Sequence, residues 1–276
     1  MKLSTAFKVT PGDKVRLKKI DPGFHGAHET HADALEQLDS NLDRMGELQE
    51  LLYAERKHAL LIVLQGIDAA GKDGTCWHVL RGMNPQGTRV TGFKQPTPEE
   101  RSHDFLWRIH KHTPALGEVA VFNRSHYEDV LVTRVHDLVP RAVWSKRYDI
   151  INAFERELAL QGTTILKFFL WISPEEQLKR FKSRLDEPTK QWKISEADYT
   201  ERAYWDAYVK AYEAMLAKCS TKTAPWFVIP SNHKWFRNLA VSEIIIETLT
   251  RLKMKRPDPT VDLNEIRRKY HEAAES

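Results

Sequence analysis

Four stretches of the chain are unbroken or nearly unbroken apolar runs of strand length: Ala59 to Leu64, Val119 to Phe122, Ile165 to Ile172 and Trp226 to Ile229. A weaker fifth spans Arg89 to Phe93. Runs without apolar–polar alternation predict strands buried on both faces of a parallel sheet. Helical patterns separate them. Thr97-Pro98-Glu99-Glu100 and Ser173-Pro174-Glu175-Glu176 each place a hydroxyl cap, a first-turn proline and a glutamate able to bond back, and Ser195-Glu196-Ala197-Asp198 has the same form. Leu35, Leu38, Leu42, Met45, Leu48 and Leu52 step by three and four, the period of an amphipathic helix or pair of helices. Val9 to Thr30 shows no period and reads as an arm that must lie against something to be ordered. No repeat of 20 to 50 residues is present. Strands alternating with helices predict an α/β fold, a three-layer α/β/α arrangement around a parallel five-stranded sheet, with ligands beyond the carboxyl ends of the strands.

The first apolar run leads directly into Gly66-Ile67-Asp68-Ala69-Ala70-Gly71-Lys72-Asp73-Gly74-Thr75. The spacing is GxxxxGK between a strand and a helix. Glycines let backbone N–H groups turn inward around an anion, the next helix offers its positive end, and the lysine reaches the phosphates. The small Ala69 and Ala70 suit the tight turn, and the loop from Gly66 through Gly74 is the expected phosphate cradle. Asp73 stands where Ser or Thr usually holds magnesium, with Thr75 two residues further on, so a metal must be held differently. Asp68 inside an anion pocket is expected to act beside a metal or a cationic side chain.

The second strand ends at Asn123-Arg124-Ser125-His126-Tyr127-Glu128-Asp129. An aspartate is usual at the first of these positions in phosphate-loop enzymes. Asn123 is a weaker metal ligand, so Glu128 or Asp129 is expected to supply the charge. Arg124 suits forked contact with phosphoryl oxygens. His126 is expected to be a hydrogen-bonding structural residue, because an anionic phosphate acceptor needs no general base. After the Ile165–Ile172 run, Arg180, Lys182, Arg184, Lys190 and Lys193 gather around Trp192, where a helical lid closing over phosphates would lie. Lys94, Arg101, Arg108, Lys111 and Arg134 are expected to extend a positive track toward the same strand ends.

Composition narrows the picture only modestly. Of 276 residues, 42 are Lys or Arg and 38 Asp or Glu, a formal +4, which is not a histone-like charge. No arrangement of basic and aromatic residues matches a nucleic-acid recognition motif. Cys76 and Cys219 lie far apart without zinc spacing and are expected as reduced thiols. With no signal-like or membrane-length apolar run, a cytoplasmic protein without a membrane role is expected.

The loop Gly66 to Lys72, the run Phe122 to Asp129, and Arg184-Leu185-Asp186 with Lys190-Gln191-Trp192-Lys193 together resemble the family-2 polyphosphate kinases. Asn84-Pro85-Gln86-Gly87, Phe93-Lys94-Gln95-Pro96 and Ile229-Pro230-Ser231-Asn232-His233-Lys234-Trp235 extend the resemblance from about Asp21 to Leu252. It implies a P-loop kinase fold with a helical lid, and transfer of a phosphoryl group between inorganic polyphosphate and a nucleotide with Mg2+, or Mn2+ in its place. Asn123 resembles the class III pattern, whose members phosphorylate both AMP and ADP; ATP is the product of the second step, and GMP and GDP are further candidates. The family's functional positions carry over as Asp68, Lys72, Asn123, Arg124 and Glu128, with Asp68 and Glu128 toward the metal. Gly66, Ala69, Ala70, Gly71, Asp73, Gly74, Thr75, Lys94, Arg134, Arg184 and Lys193 are the expected phosphate and nucleotide contacts. A homo-oligomer, dimer or tetramer, is implied by the resemblance alone.

The expected organisation is one domain over residues 1–276. It comprises an arm (1–30), N-terminal helices (31–57), a core (58–175 and 219–252), a lid region (176–218) and a C-terminal tail helix (253–276). Two other functions share the same features: an ATP-dependent nucleoside or nucleotide kinase, and a nucleotide-binding module without turnover.

Overall fold

The computed structural model describes residues 2–27 and 30–275; Met1, His28, Glu29 and Ser276, within the expected arm and tail, lie outside them. Five parallel strands, β1 (Ala59–Gly66), β2 (Thr88–Gly92), β3 (Val119–Asn123), β4 (Thr163–Trp171) and β5 (Trp226–Pro230), form one sheet in the order β2-β3-β1-β4-β5. Each apolar run of the sequence is a strand. Register pairs Leu64 with Asn123 and Gly66 with Leu170, so the ends of β1, β3 and β4 lie side by side.

The helices in chain order are α1 (Leu3–Ala6), α2 (His31–Glu55), α3 (Lys72–Val79), α4 (Pro98–Ser102), α5 (Trp107–His110) and α6 (Glu128–Val135). They continue as α7 (Arg141–Leu160), α8 (Pro174–Asp186), α9 (Glu196–Arg202), α10 (Trp205–Cys219), α11 (Lys234–Arg251) and α12 (Leu263–Ala274). Alternate strand residues divide between two cores. Leu60, Ile62 and Leu64 pack with Phe168 and Leu170 against α2, α3 and α11. Leu61 and Val63 pack with Phe122 and Phe169 against α6, α7 and α10. Both faces are covered, which is why the runs carry no polar alternation.

The N-terminal helices are a single helix of 25 residues, α2, whose Leu42, Met45, Leu48 and Leu52 face the sheet. The arm does find a surface. Lys8 bridges antiparallel to Phe227, Val9 N–H donates to the Trp226 carbonyl at 2.9 Å, and Phe7 packs edge-on against Phe24 and Phe236. This covers the exposed edge of β5. The three proposed helix starts are capped as expected: Thr97 and Ser195 form capping boxes, and the Ser173 hydroxyl accepts from Glu176 N–H.

The expected lid region, 176–218, is not exposed throughout. Gln177, Arg180 and Phe181 of α8 are buried, and Val209, Tyr212, Met215 and Leu216 of α10 belong to the core. The exposed part is the 3₁₀ turn Pro188–Lys193 with α9. Among the described residues no helix is long and apolar enough to cross a membrane.

Candidate active site

β1 enters the loop at Gly66, where a Cβ would come within 2.9 Å of both the Ala70 Cβ and the Leu170 carbonyl oxygen. This close approach accounts for the glycine and for the small residue at 70. Gly71 turns the chain with φ +105°, in the left-handed region, and α3 begins at the next residue. Lys72 is 8% exposed, and its Nζ donates to the Gly66 carbonyl at 2.6 Å. Burial, and next the Arg124 guanidinium, lower the Lys72 ammonium to about 8.

Arg124 follows β3 in the left-handed region, with φ +63°. Its backbone N–H donates to the Leu64 carbonyl at 3.1 Å, and its guanidinium bridges Asp68 at 2.7 Å and Glu128 at 3.3 Å. Burial opposes the Asp68 charge, yet Lys72 and Arg124 outweigh it and hold that carboxyl below its ordinary value. Against the same penalty, Glu128 and Asp68 raise Arg124. Asn123 Nδ2 donates to the Asp73 carboxylate at 2.6 Å, joining the two positions at which the sequence departs from the usual phosphate-loop pattern.

These groups open into a cavity of about 930 Å3 beyond the carboxyl ends of the strands. Of the expected contacts, Asp68, Ala69, Gly71, Lys72, Asp73 and Gly74 line it from the loop, Lys94, Asn123 and Arg124 from the ends of β2 and β3, and Arg184 and Lys193 from α8 and the 3₁₀ turn after it.

Five expected residues stand elsewhere. Gly66 backs the loop. Ala70 is wholly buried and turns its carbonyl to Arg180. Thr75 is 2% exposed and off the cavity lining, its hydroxyl donating back to the Gly71 carbonyl at 3.1 Å. Glu128 lies behind Arg124 rather than on the large cavity. Arg134 points away, its guanidinium 4.8 Å from the Trp144 ring centre and hydrogen-bonded to the Tyr148 hydroxyl. Two more residues of the expected track are likewise committed: Arg108 is buried and donates to the Lys94 carbonyl at 2.8 Å, and the Lys111 ammonium sits over the Trp107 ring, while Arg101 is exposed on α4 and does not line the cavity. Asp129 is paired with Arg147 at 3.0 Å, and burial lifts its carboxyl to about 6.

Arg180, expected in the lid, is a clamp beneath the loop. It donates to the Ala69 and Ala70 carbonyls at 2.8 and 2.9 Å, reaches the Ser231 and Asn232 carbonyls, and is ion-paired to Glu176 at 2.7 Å. Gln177 Nε2 donates to the Asp68 carbonyl while its Oε1 accepts from Arg202, so α8 touches the loop backbone directly and the end of α9 is tied to it through Gln177. Arg81, Gln177, Arg202 and Arg237 were not among the expected residues. The available signal for Arg237 was position, since it follows the end of the fifth strand.

His126 is structural, as expected. It is fully buried, hydrogen-bonded to Glu155 at 3.2 Å, and burial lowers its imidazole despite that partner. Glu155 also accepts from the Tyr127 hydroxyl at 2.7 Å and pairs with the buried Lys167 at 2.5 Å. This network anchors the chain just beyond Arg124.

A glycine-turned loop between strand and helix, ending in lysine at the carboxyl rim of a parallel sheet, places the protein in the class of phosphate-loop α/β proteins. Residues 28–257 match the family described as Polyphosphate kinase 2 (PPK2), and the chain belongs to that family. It is 51% identical over 257 residues to the AMP/ADP-polyphosphate phosphotransferase of Meiothermus ruber, spanning 92% of this chain and 95% of that one. It is 45% identical to the ADP-polyphosphate phosphotransferase of Rhodopseudomonas palustris, over 94% of each chain. Its fold is similar to the crystal structure of Polyphosphate Kinase 2 from Arthrobacter aurescens TC1, with a TM-score of 0.94 and 44% identity, covering 99% of this chain and 97% of that one.

Proposed function

We propose that the protein transfers the terminal phosphoryl group between inorganic polyphosphate and adenine nucleotides, making ADP from AMP and ATP from ADP. The observation that carries this reading is the convergence of Lys72 and Arg124 on Asp68 at the strand ends, inside a cavity edged with further cations. In the forward direction an oxygen of the nucleotide's terminal phosphate attacks the polymer's last phosphorus. The bond to the penultimate unit breaks, and its electron pair stays on the shortened polymer. The acceptor is already anionic, so no base is required, in keeping with a His126 sealed in the core. A loose transition state spreads charge over the transferring oxygens, and Lys72 and Arg124 are the fixed cations beside that charge.

The donor set suits magnesium, with manganese as a substitute. Asp68 and Asp73 present hard oxygen ligands to the cavity on either side of Lys72, and magnesium is usually held by one or two carboxylates plus water and substrate phosphates. Bound there, the metal supplies charge neutralisation for the phosphates. Glu128 takes the supporting role of holding Arg124. GMP and GDP as further acceptors, a homo-oligomeric assembly and a cytoplasmic setting complete the proposal.

The test is nucleotide product analysis after incubating purified protein with magnesium, long-chain polyphosphate and each of AMP, ADP, GMP and GDP. ATP from ADP and ADP from AMP are the expected products. Transfer from ATP to a nucleoside, with none from polyphosphate, would establish an ATP-dependent kinase instead; nucleotide binding without turnover would establish a binding module.

A further inference from the structure

Three consecutive carbonyls of the phosphate loop are held from outside, all by side chains of α8. Arg180 donates to those of Ala69 and Ala70, and Gln177, three residues earlier on the same helix face, donates to that of Asp68 at 2.9 Å. Support is needed there because Ala69 sits in the left-handed region, with φ +63°, which a residue bearing a Cβ adopts at a cost. The two supports differ in what stands behind them. Arg180 is fixed to Glu176 and to the Ser231 and Asn232 carbonyls just beyond β5. Gln177 is backed by Arg202, the last residue of α9, which donates to the Gln177 Oε1 at 2.7 Å and to the Pro174 carbonyl at 3.0 Å.

α9 therefore links two places. In its first turn Asp198 borders the large cavity and pairs with Arg184 at 3.4 Å, and Arg184 also donates to the Lys193 carbonyl at 3.2 Å. At its end Arg202 backs Gln177, while Glu201 accepts from the Tyr208 hydroxyl at 2.8 Å and pairs with His136 at 3.1 Å. A displacement of α9 is felt through Gln177 at Asp68, whose carboxylate meets Arg124 at 2.7 Å. Gln177 is 1% exposed, so both ends of its amide need partners. An amide suits the place because it donates to a carbonyl with one end and accepts from a guanidinium with the other.

We propose that Gln177 is a positioning residue: it transmits the placement of α9 to the Asp68 backbone, so that Asp68 and Arg124 hold their working geometry only while Arg202 backs the amide. This rests on the proposed function.

The experiment measures kcat, and KM for ADP and for long-chain polyphosphate, together with thermal melts. It compares the wild type with Gln177→Met, Gln177→Glu, Arg202→Ala and the double variant of Gln177→Met with Arg202→Ala. Methionine keeps the shape and loses both hydrogen bonds. Glutamate, ionised beside Arg202, keeps that partner and turns an oxygen toward the Asp68 carbonyl. Both changes at 177 are expected to lower kcat about tenfold or more, as small misplacements of reacting groups do, with each KM within about threefold of wild type. Arg202→Ala lowers kcat in the same way, and the double variant loses no more than Gln177→Met alone. Melts give the folded fraction of each variant at the assay temperature. A Gln177→Glu variant with wild-type kcat, a loss confined to KM, losses that multiply in the double variant, or losses explained by unfolded protein overturn the assignment, while wild-type turnover leaves the proposed function standing. Should Gln177→Met not fold, Gln177→Glu and Arg202→Ala decide by the same criteria. A wild type making no ATP from polyphosphate overturns the proposed function and this role with it.

Discussion

Lys72→Met is expected to make the protein more stable and nearly inactive. The Lys72 ammonium releases its proton near 8 instead of 10.5, so holding the charge in the fold at neutral pH costs about 3 kcal/mol. Methionine removes that cost with a side chain of similar length. It also removes the hydrogen bonds to the Gly66 and Ile67 carbonyls, at 2.6 and 3.4 Å, worth together about 1–2 kcal/mol. The balance is a gain of about 1–2 kcal/mol, or roughly 2–8 °C in Tm for a chain of this size.

The gain has a defined pH window. The folded state disfavours the proton, so between about 8 and 10.5 the unfolded chain binds more protons and wild-type stability rises with pH. The advantage of the variant is therefore full below 8 and shrinks toward 10.5. Catalysis moves the other way. Loss of one cation beside the transferring oxygens is expected to cost about 3–4 kcal/mol, a fall of several hundredfold in kcat. Thermal melts at pH 7 and pH 9.5, with ATP formation from ADP and polyphosphate at pH 7, measure both effects. A variant that melts below wild type at pH 7, or retains more than a tenth of its activity, refutes the assignment of Lys72 as a destabilised cation kept for the reaction.

Three further outcomes follow from the same geometry. In wild type, kcat/KM for polyphosphate should fall as pH rises through about 8, because it reports the free enzyme in which Lys72 loses its proton there; a flat profile to pH 9.5 contradicts this. Asn123→Asp sets a second carboxylate where the amide now donates to Asp73 at 2.6 Å, so the variant should require a cation between them, lower the magnesium needed for half-maximal rate and change the AMP-to-ADP activity ratio; an unchanged titration and ratio would rule this out. Lys167→Met leaves Glu155 buried without its countercharge and should cost about 3–5 kcal/mol, whereas adding Glu155→Leu should recover a large part of it; denaturant melts of the single and double variants compare the two, and equal losses would show that the pair has no such linkage.

The phosphate loop, the strands and the helix caps were legible in the chain because their causes are local. A strand buried on both faces must be apolar at every position, and Ala59 to Leu64 shows it within six residues. Thr97 and Glu100 satisfy each other's backbone over a single turn. The loop glycines and Lys72 belong to one continuous segment.

The fate of each cation was not local. Arg108, Lys111 and Arg134 resembled phosphate ligands in sequence, yet each has an internal partner brought by folding. Arg180 and Arg237 reach the Ala70 carbonyl from 110 and 167 residues away. Periodicity and capping are written in neighbours along the chain, whereas the charge of a cavity wall is set by through-space distances between residues remote in sequence. The sequence alone therefore determined the loop, the sheet and the class of chemistry. Only the tertiary structure decided which positive side chains remain turned toward the cavity, because a guanidinium or ammonium takes whatever acceptor the packed neighbours place within a few ångströms.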